Sequence, residues 1–217
     1  MVLPEGFIVH RSEGQEILRV DQLFCERGER ILFQDLALIV CQGEVIQIKG
    51  PNGSGKTTLL RILCGLHDGY QGSITWCGET IADHPEDFFS SLTYLGHRVG
   101  VNKVLTPLEN LRWSCGLRQE IDDKEIYSAL KDMGLKGFEE SQCFALSAGQ
   151  QQRVSLARLL LDLSNLWILD EPFTTLDRDG VKLLEGLLCK HIDRGGAALV
   201  TTHHNLAVPG LKILELT

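Results

Sequence analysis

Residues 45–66 read VIQIK, GPNGSGKTT and LLRILCGL in succession, and no other part of the chain restricts its fold as tightly. VIQIK is an apolar strand, and the stretch after the glycines carries Leu59, Ile62, Leu63 and Leu66 at helical spacing. Between them, Gly50, Gly53 and Gly55 let the backbone curl until successive N–H groups point inward. The helix start adds a partial positive charge, so the loop is a cradle for phosphate. Gly50, Gly55, Lys56 and Thr57 satisfy G-x-x-x-x-G-K-[ST] in the strand–loop–helix context that gives the pattern meaning. The expected ligand is ATP, held by Gly50, Pro51, Asn52, Gly53, Ser54, Gly55, Lys56, Thr57 and Thr58. Lys56 is expected on the β- and γ-phosphates and the Thr57 hydroxyl on Mg²⁺. The alternative is a glycine-rich turn with no ligand.

The rest of the chain suits an α/β fold. LWILD at 166–170 is a near-continuous apolar run, as expected of a central parallel strand buried on both faces, and AALVTT at 197–202 is another. ILRV at 17–20, ILFQDLALIV at 31–40 and SITW at 73–76 read as further β segments separated by glycine- and charge-rich turns. From about 98 to 162 the character is helical. Thr106 is a cap with Pro107 at the first helical position, and Asp122 and Glu125 stand at capping-box spacing in a helix that ends at Gly134. Residues 1–16 read as a polar extension ahead of a domain over 17–217.

LWILD ends in Asp170, and an acid closing a hydrophobic strand downstream of a phosphate loop is expected to take the metal. Glu171 follows, placed to orient and polarise an attacking water. His203, just after AALVTT, can hydrogen-bond the γ-phosphate and hold the water against Glu171, whereas strand alternation directs His204 elsewhere. The bland alternative for Asp170 and Glu171 is a pair of solvated acids ahead of a turn at Pro172.

A second bare turn, LSAGQ at 146–150, opens a helix. Ser147 and Gln150 have capping-box spacing, which accounts for a helix start but not for the small Ala148 and Gly149. A helix N-terminus with a serine hydroxyl and accessible N–H groups is also an anion site. The chain's own P-loop already holds its nucleotide, so the anion is expected from a second copy. Two chains related by a twofold axis would each place Ser147, Gly149 and Gln150 on the other's ATP.

Bulk composition narrows the classes. The chain has 217 residues, 43% hydrophobic, and a net charge of −8, which argues against a nucleic-acid partner. Seven cysteines, at 25, 41, 64, 77, 115, 143 and 189, are spread singly, and they read as reduced, buried thiols with no metal or disulfide framework. The longest apolar runs are too short to span a bilayer, and the N-terminus has no signal-peptide pattern.

The motifs GPNGSGKTT, LSAGQQQR, LWILDEP, TTLD and TTH stand in the order and spacing of ABC-type ATPases, and the chain resembles that family over about residues 17–217. LSAGQ resembles the family's LSGGQ signature, with Ala148 in place of a glycine. The resemblance implies a RecA-like core with an antiparallel β subdomain and a helical lobe. It also implies a D-loop at TTLD with Asp177 at a dimer interface. Two positions depart from the family pattern. His97 in YLGHRVG stands where a Q-loop glutamine is usual, either touching the nucleotide or serving only as a hinge. Arg27 in CERGER stands near the position of the aromatic that stacks on adenine, with Phe24 close by. CERGERILF, TYLGHRVGVNKVLTPLENLRW and LVTTHH are similar to the CcmA family, the ATP-binding subunits of bacterial cytochrome c maturation (haem export) systems. That likeness implies a dimer on the cytoplasmic face of the inner membrane, bound to CcmB and acting with CcmC and CcmD. Its ATPase activity would be tied to release of a haem-loaded chaperone. No haem-ligand constellation appears, so no direct haem binding is expected. An ABC transporter ATPase for another substrate, or a soluble non-transport ABC ATPase, remains the alternative reading. The latter usually carries coiled coils, tandem cassettes or basic stretches.

Overall fold

A computed structural model describes residues 14–217. Most of the extension expected over 1–16 lies outside these residues; among the described residues regular structure begins at Glu16. β1 (Glu16–Arg27) and β2 (Arg30–Cys41) form a long antiparallel hairpin, closed by Arg27 facing Arg30 across a turn at Gly28, whose φ is 66°. β4 (Gln71–Trp76) pairs antiparallel with β1, and the two-residue β5 (Glu79–Thr80) completes a four-stranded sheet in the order β2-β1-β4-β5.

The second sheet is parallel throughout. Its order is β6-β7-β8-β3-β9, built from β3 (Val45–Lys49), β6 (Leu92–Leu95), β7 (Leu166–Asp170), β8 (Ala197–Thr201) and β9 (Lys212–Glu215). β7 and β8 are buried along their whole length, as a sheet covered on both faces requires. Alternation along them divides the interior. Leu166, Ile168, Ala197 and Leu199 face a core shared with the antiparallel sheet and α1 (Lys56–Leu63). Trp167, Leu169, Ala198 and Val200 face a second core with α5 (Ala148–Leu161) and α6 (Arg178–Asp193).

Between the P-loop and β7 stand α2 (Pro85–Ser90), α3 (Pro107–Gly116) and α4 (Asp123–Asp132), and α3, α4 and α5 pack mutually into a helical lobe. Buried Asn110 fixes the lobe's entry loop by donating to the carbonyls of Asn102 and Thr106 and accepting from Asn102 N. Arg118 ties the far end of α3 to β6 through Phe89 O, Leu92 O and Thr93 Oγ1.

The structure differs from the sequence reading at several points. β1 runs seven residues beyond the expected 20, because CERGER, turn-like in composition, is carried by pairing with β2. Residues 98–106, at the start of the stretch of helical character, are loop and turn, while the lobe's first helix starts at Pro107 behind the Thr106 cap as expected. Cys77 is exposed and Cys189 half-buried, so burial does not extend to all seven cysteines.

Candidate functional site

Parallel pairing brings the carboxyl ends of β3, β8 and β7 side by side. Thr201 at the end of β8 is in register with Ile48 on one flank and Asp170 on the other. In sheets of this kind ligands bind at that edge. There the loop after β3 turns into α1 with Gly50, Gly53 and Gly55 at φ 151°, 82° and 96°. A Cβ on Gly50 would collide with Leu216 O, and one on Gly55 would press on Leu32 and Phe33 of β2, so bare backbone is required at both.

α1 differs from the other long helices. Thr106, Asp122, Ser147 and Asp177 cap α3, α4, α5 and α6 with their side chains, whereas Gly55 offers α1 none and no acid stands in its first turn. The first N–H groups of a helix have no partner within it. A phosphate would satisfy them and meet the positive end of the dipole. Lys56 Nζ reaches over the loop to Gly50 O at 2.8 Å and Pro51 O at 3.0 Å.

Beside the helix start, Thr57 Oγ1 donates to Asp170 Oδ2 at 2.9 Å, and Thr201 Oγ1 donates to Asp170 Oδ1 at 2.7 Å. A hydroxyl and a carboxylate together form a hard oxygen donor set that fits Mg²⁺. Glu171 has φ 52°, a strained value for a side-chain-bearing residue. Thr201 holds it there, since Glu171 N donates to both Thr201 O and Thr201 Oγ1 at 3.0 Å. Glu171 Oε1 lies 3.7 Å from His203 Nε2. Gln47, buried in β3, donates to Thr202 O and His204 O and so pins the backbone on both sides of His203. His204 turns away to Glu185, 3.6 Å distant, and stacks on Phe173; β8 ends at Thr201, so the bend after the strand, not the strand alternation expected, directs it there.

These groups line one cavity of about 660 Å³, where Arg27, Asn52, Gly53, Lys56, Thr57, Thr58, His97, Asp170, Glu171 and His203 meet. Ser54 is buried beneath the loop. Half-buried Phe24 lies opposite Gln71 in the sheet and is not part of the cavity wall. His97, two residues past β6, also borders a second cavity with Tyr94, Ser155 and Arg158 at the root of the helical lobe.

Other expected site residues stand apart from this cavity. Ser147 and Gln150 form a reciprocal capping box, so the Ser147 oxygen is engaged as an acceptor rather than free, although its proton is not used there. A Cβ on Gly149 would come within 3.1 Å of Thr175 O, which places the LSAGQ turn against TTLD. Asp177 caps α6 through Gly180 N and pairs with Arg153 at 2.5 Å, contacts that hold its carboxyl below the usual range. Within one chain the P-loop and LSAGQ do not meet. Sequence reasoning missed Thr201, Gln47 and Arg30. The polar Gln47 inside an otherwise apolar strand was a visible signal for one of them.

The chain matches the family described as ABC transporter over residues 33–174. The "Cytochrome c biogenesis ATP-binding export protein CcmA" of Hahella chejuensis is 50% identical over 194 residues, 89% of this chain and 92% of the relative. The protein of the same name from Vibrio parahaemolyticus is 45% identical over 201 residues, 92% of this chain and 98% of the relative. Among solved structures, "Structure of ATP binding subunit of ABC transporter" superposes with a TM-score of 0.77 at 26% identity, covering 86% of this chain and 79% of that one. A Pyrococcus furiosus ATP-binding protein shares the fold, with a TM-score of 0.80 at 22% identity over 92% of this chain and 96% of that one. The chain belongs to the ABC transporter family and, within it, to the CcmA-type ATP-binding export proteins.

Proposed function

We propose that this chain is the ATP-hydrolysing subunit of a haem exporter acting in cytochrome c biogenesis, and that Glu171 and His203 carry the hydrolytic step. The observation that supports it best is their 3.7 Å approach at the mouth of the P-loop cavity, beside the Thr57–Asp170 pair. Lys56 and the N–H groups opening α1 take the β- and γ-phosphates. Thr57 and Asp170 hold Mg²⁺, which neutralises charge on those phosphates when bound. Glu171 orients the attacking water and accepts its proton, while His203 donates to the γ-phosphate and fixes the Glu171 carboxylate. A second copy supplies Ser147, Gly149 and Gln150 across a twofold axis, with Asp177 at the interface. Arg27 lies against the base through its guanidinium plane.

Coupling runs through the helical lobe. No helix among the described residues is long and apolar enough to cross a membrane. We place the chain at the cytoplasmic face of the inner membrane, on a CcmB-like subunit acting with CcmC- and CcmD-like proteins. Val101, Leu105, Leu111 and the exposed Trp113 line a groove of about 400 Å³ suited to a short amphipathic helix of that subunit. His97, between the nucleotide cavity and the lobe, relays closure to it.

Glu171→Gln tests the reading. The variant keeps shape and loses the carboxylate, so it should bind Mg-ATP normally, lose hydrolysis at least about 100-fold, and run as a dimer on gel filtration with ATP. A host carrying only this variant should lose c-type cytochromes and keep b-type ones. Hydrolysis near the wild-type rate removes Glu171 from the role. Normal c-type haem staining removes the haem-export assignment and leaves the ATPase.

A further inference from the structure

Arg27 and Arg30 face each other directly at the closed end of the β1–β2 hairpin. Like charges opposite one another on an antiparallel ladder repel. Among the described residues neither guanidinium lies within ion-pair distance of a carboxylate, although Glu26 and Glu29 are close in sequence. Both line the P-loop cavity. The hairpin is pressed onto the loop: a Cβ on Gly55 would come within 3.4 Å of Leu32 and Phe33, and one on Gly53 would lie 3.5 Å from Arg30 Nη1.

An unpaired cross-strand arginine pair set against a phosphate loop calls for an anion. Its planar fork matches a phosphate better than a lysine would. We infer that Arg30 is a second phosphate-binding cation of the nucleotide site, reaching the triphosphate from the β subdomain while Lys56 reaches it from the P-loop. Of the two, Arg30 is the one set against the loop at Gly53, so the phosphates fall to it, and Arg27 keeps the place on the base proposed above. The antiparallel sheet then senses the triphosphate directly. This inference rests on the nucleotide reading of the cavity.

The test uses the full chain and Mg-ATP or Mg-GTP titrations by calorimetry, with Lys56→Ala as the reference. Arg30→Gln should raise the dissociation constant about tenfold or more for both nucleotides, the scale of a lost charge-assisted hydrogen bond. Arg30→Lys should restore part of it. Without nucleotide, Arg30→Gln should melt no lower than wild type, because a like-charge pair has been removed. Unchanged affinity in Arg30→Gln beside a Lys56→Ala chain that no longer binds would overturn the inference and leave the nucleotide site standing. A loss confined to ATP, with GTP retained, would make Arg30 a base contact and overturn the phosphate assignment. A lower melting temperature in the nucleotide-free variant would make it a structural residue. Unaltered binding by Lys56→Ala would sink the nucleotide reading itself.

Discussion

His191 is 1% exposed and stacks flat on Trp167, with ring centroids 3.8 Å apart. Arg194 donates to its Nδ1 at 3.1 Å, which leaves Nε2 to carry the hydrogen and donate to Ala197 O at 3.1 Å. The neutral ring is therefore built into the end of α6, and Gly196 must lack a side chain because a Cβ would collide with the imidazole. Burial first, and the neighbouring Arg194 second, push the His191 pKa down to about 4. The unfolded chain binds a proton near 6.5 and the folded one does not until about 4. The stability this ring contributes is thus complete above about pH 6.5 and is lost as pH falls toward 4. At pH 5 the loss should be about 2 kcal/mol relative to pH 7.5. Urea unfolding at the two pH values measures it, and His191→Gln should show a smaller difference. An equal difference in the variant assigns the acid sensitivity to other groups.

The helix starts show how much was legible element by element. The Thr106 cap and the capping boxes at Asp122–Glu125 and Ser147–Gln150 are local, and each stands where the sequence placed it; Glu109 completes a box with Thr106 that was not expected. The P-loop, β7 and β8 were equally plain, because loop chemistry and continuous burial leave marks within a few residues. What escaped depends on pairing with distant segments. β9 is an edge strand with only Leu214 buried, so KILE has no strong pattern of its own. The roles of Thr201 and Arg30 follow from register with β7 and with β1, which no local spacing encodes. Ser147 carries a local and a non-local reading at once, and one substitution separates them. Aspartate caps a helix about as well as serine, so Ser147→Asp should unfold within about 0.5 kcal/mol of wild type. The new charge would face the partner's phosphates, so hydrolysis should fall at least about tenfold, with Mg-ATP binding to a single chain unchanged. Retained hydrolysis would reduce LSAGQ to a helix start.

At the scale of the molecule, two sheets and a helical lobe converge on one cavity edge, and each contributes a different contact. The antiparallel sheet brings Arg27 and Arg30, the parallel sheet brings Asp170 and Glu171, and the lobe is reached through His97. LSAGQ lies elsewhere on the chain, which is why the proposed catalytic unit is a pair of chains. The uncapped start of α1 has a consequence for the folded state as a whole. Among the described residues every other long helix carries its cap in its own sequence, and α1 does not; in the proposed reading the nucleotide takes that place. ATP is then the missing residue of a helix as well as a fuel, and the cell's energy supply helps finish the fold. Nucleotide at a hundred times its dissociation constant should stabilise the chain by about 2.7 kcal/mol, raising the melting temperature by roughly 5–10 °C. Amide exchange should slow most at Lys56–Leu59, and uniform slowing across all helices would remove the special place given to α1. A starved cell would hold this subunit in a looser form, more open to proteolysis, so its abundance would follow the supply of the molecule it consumes.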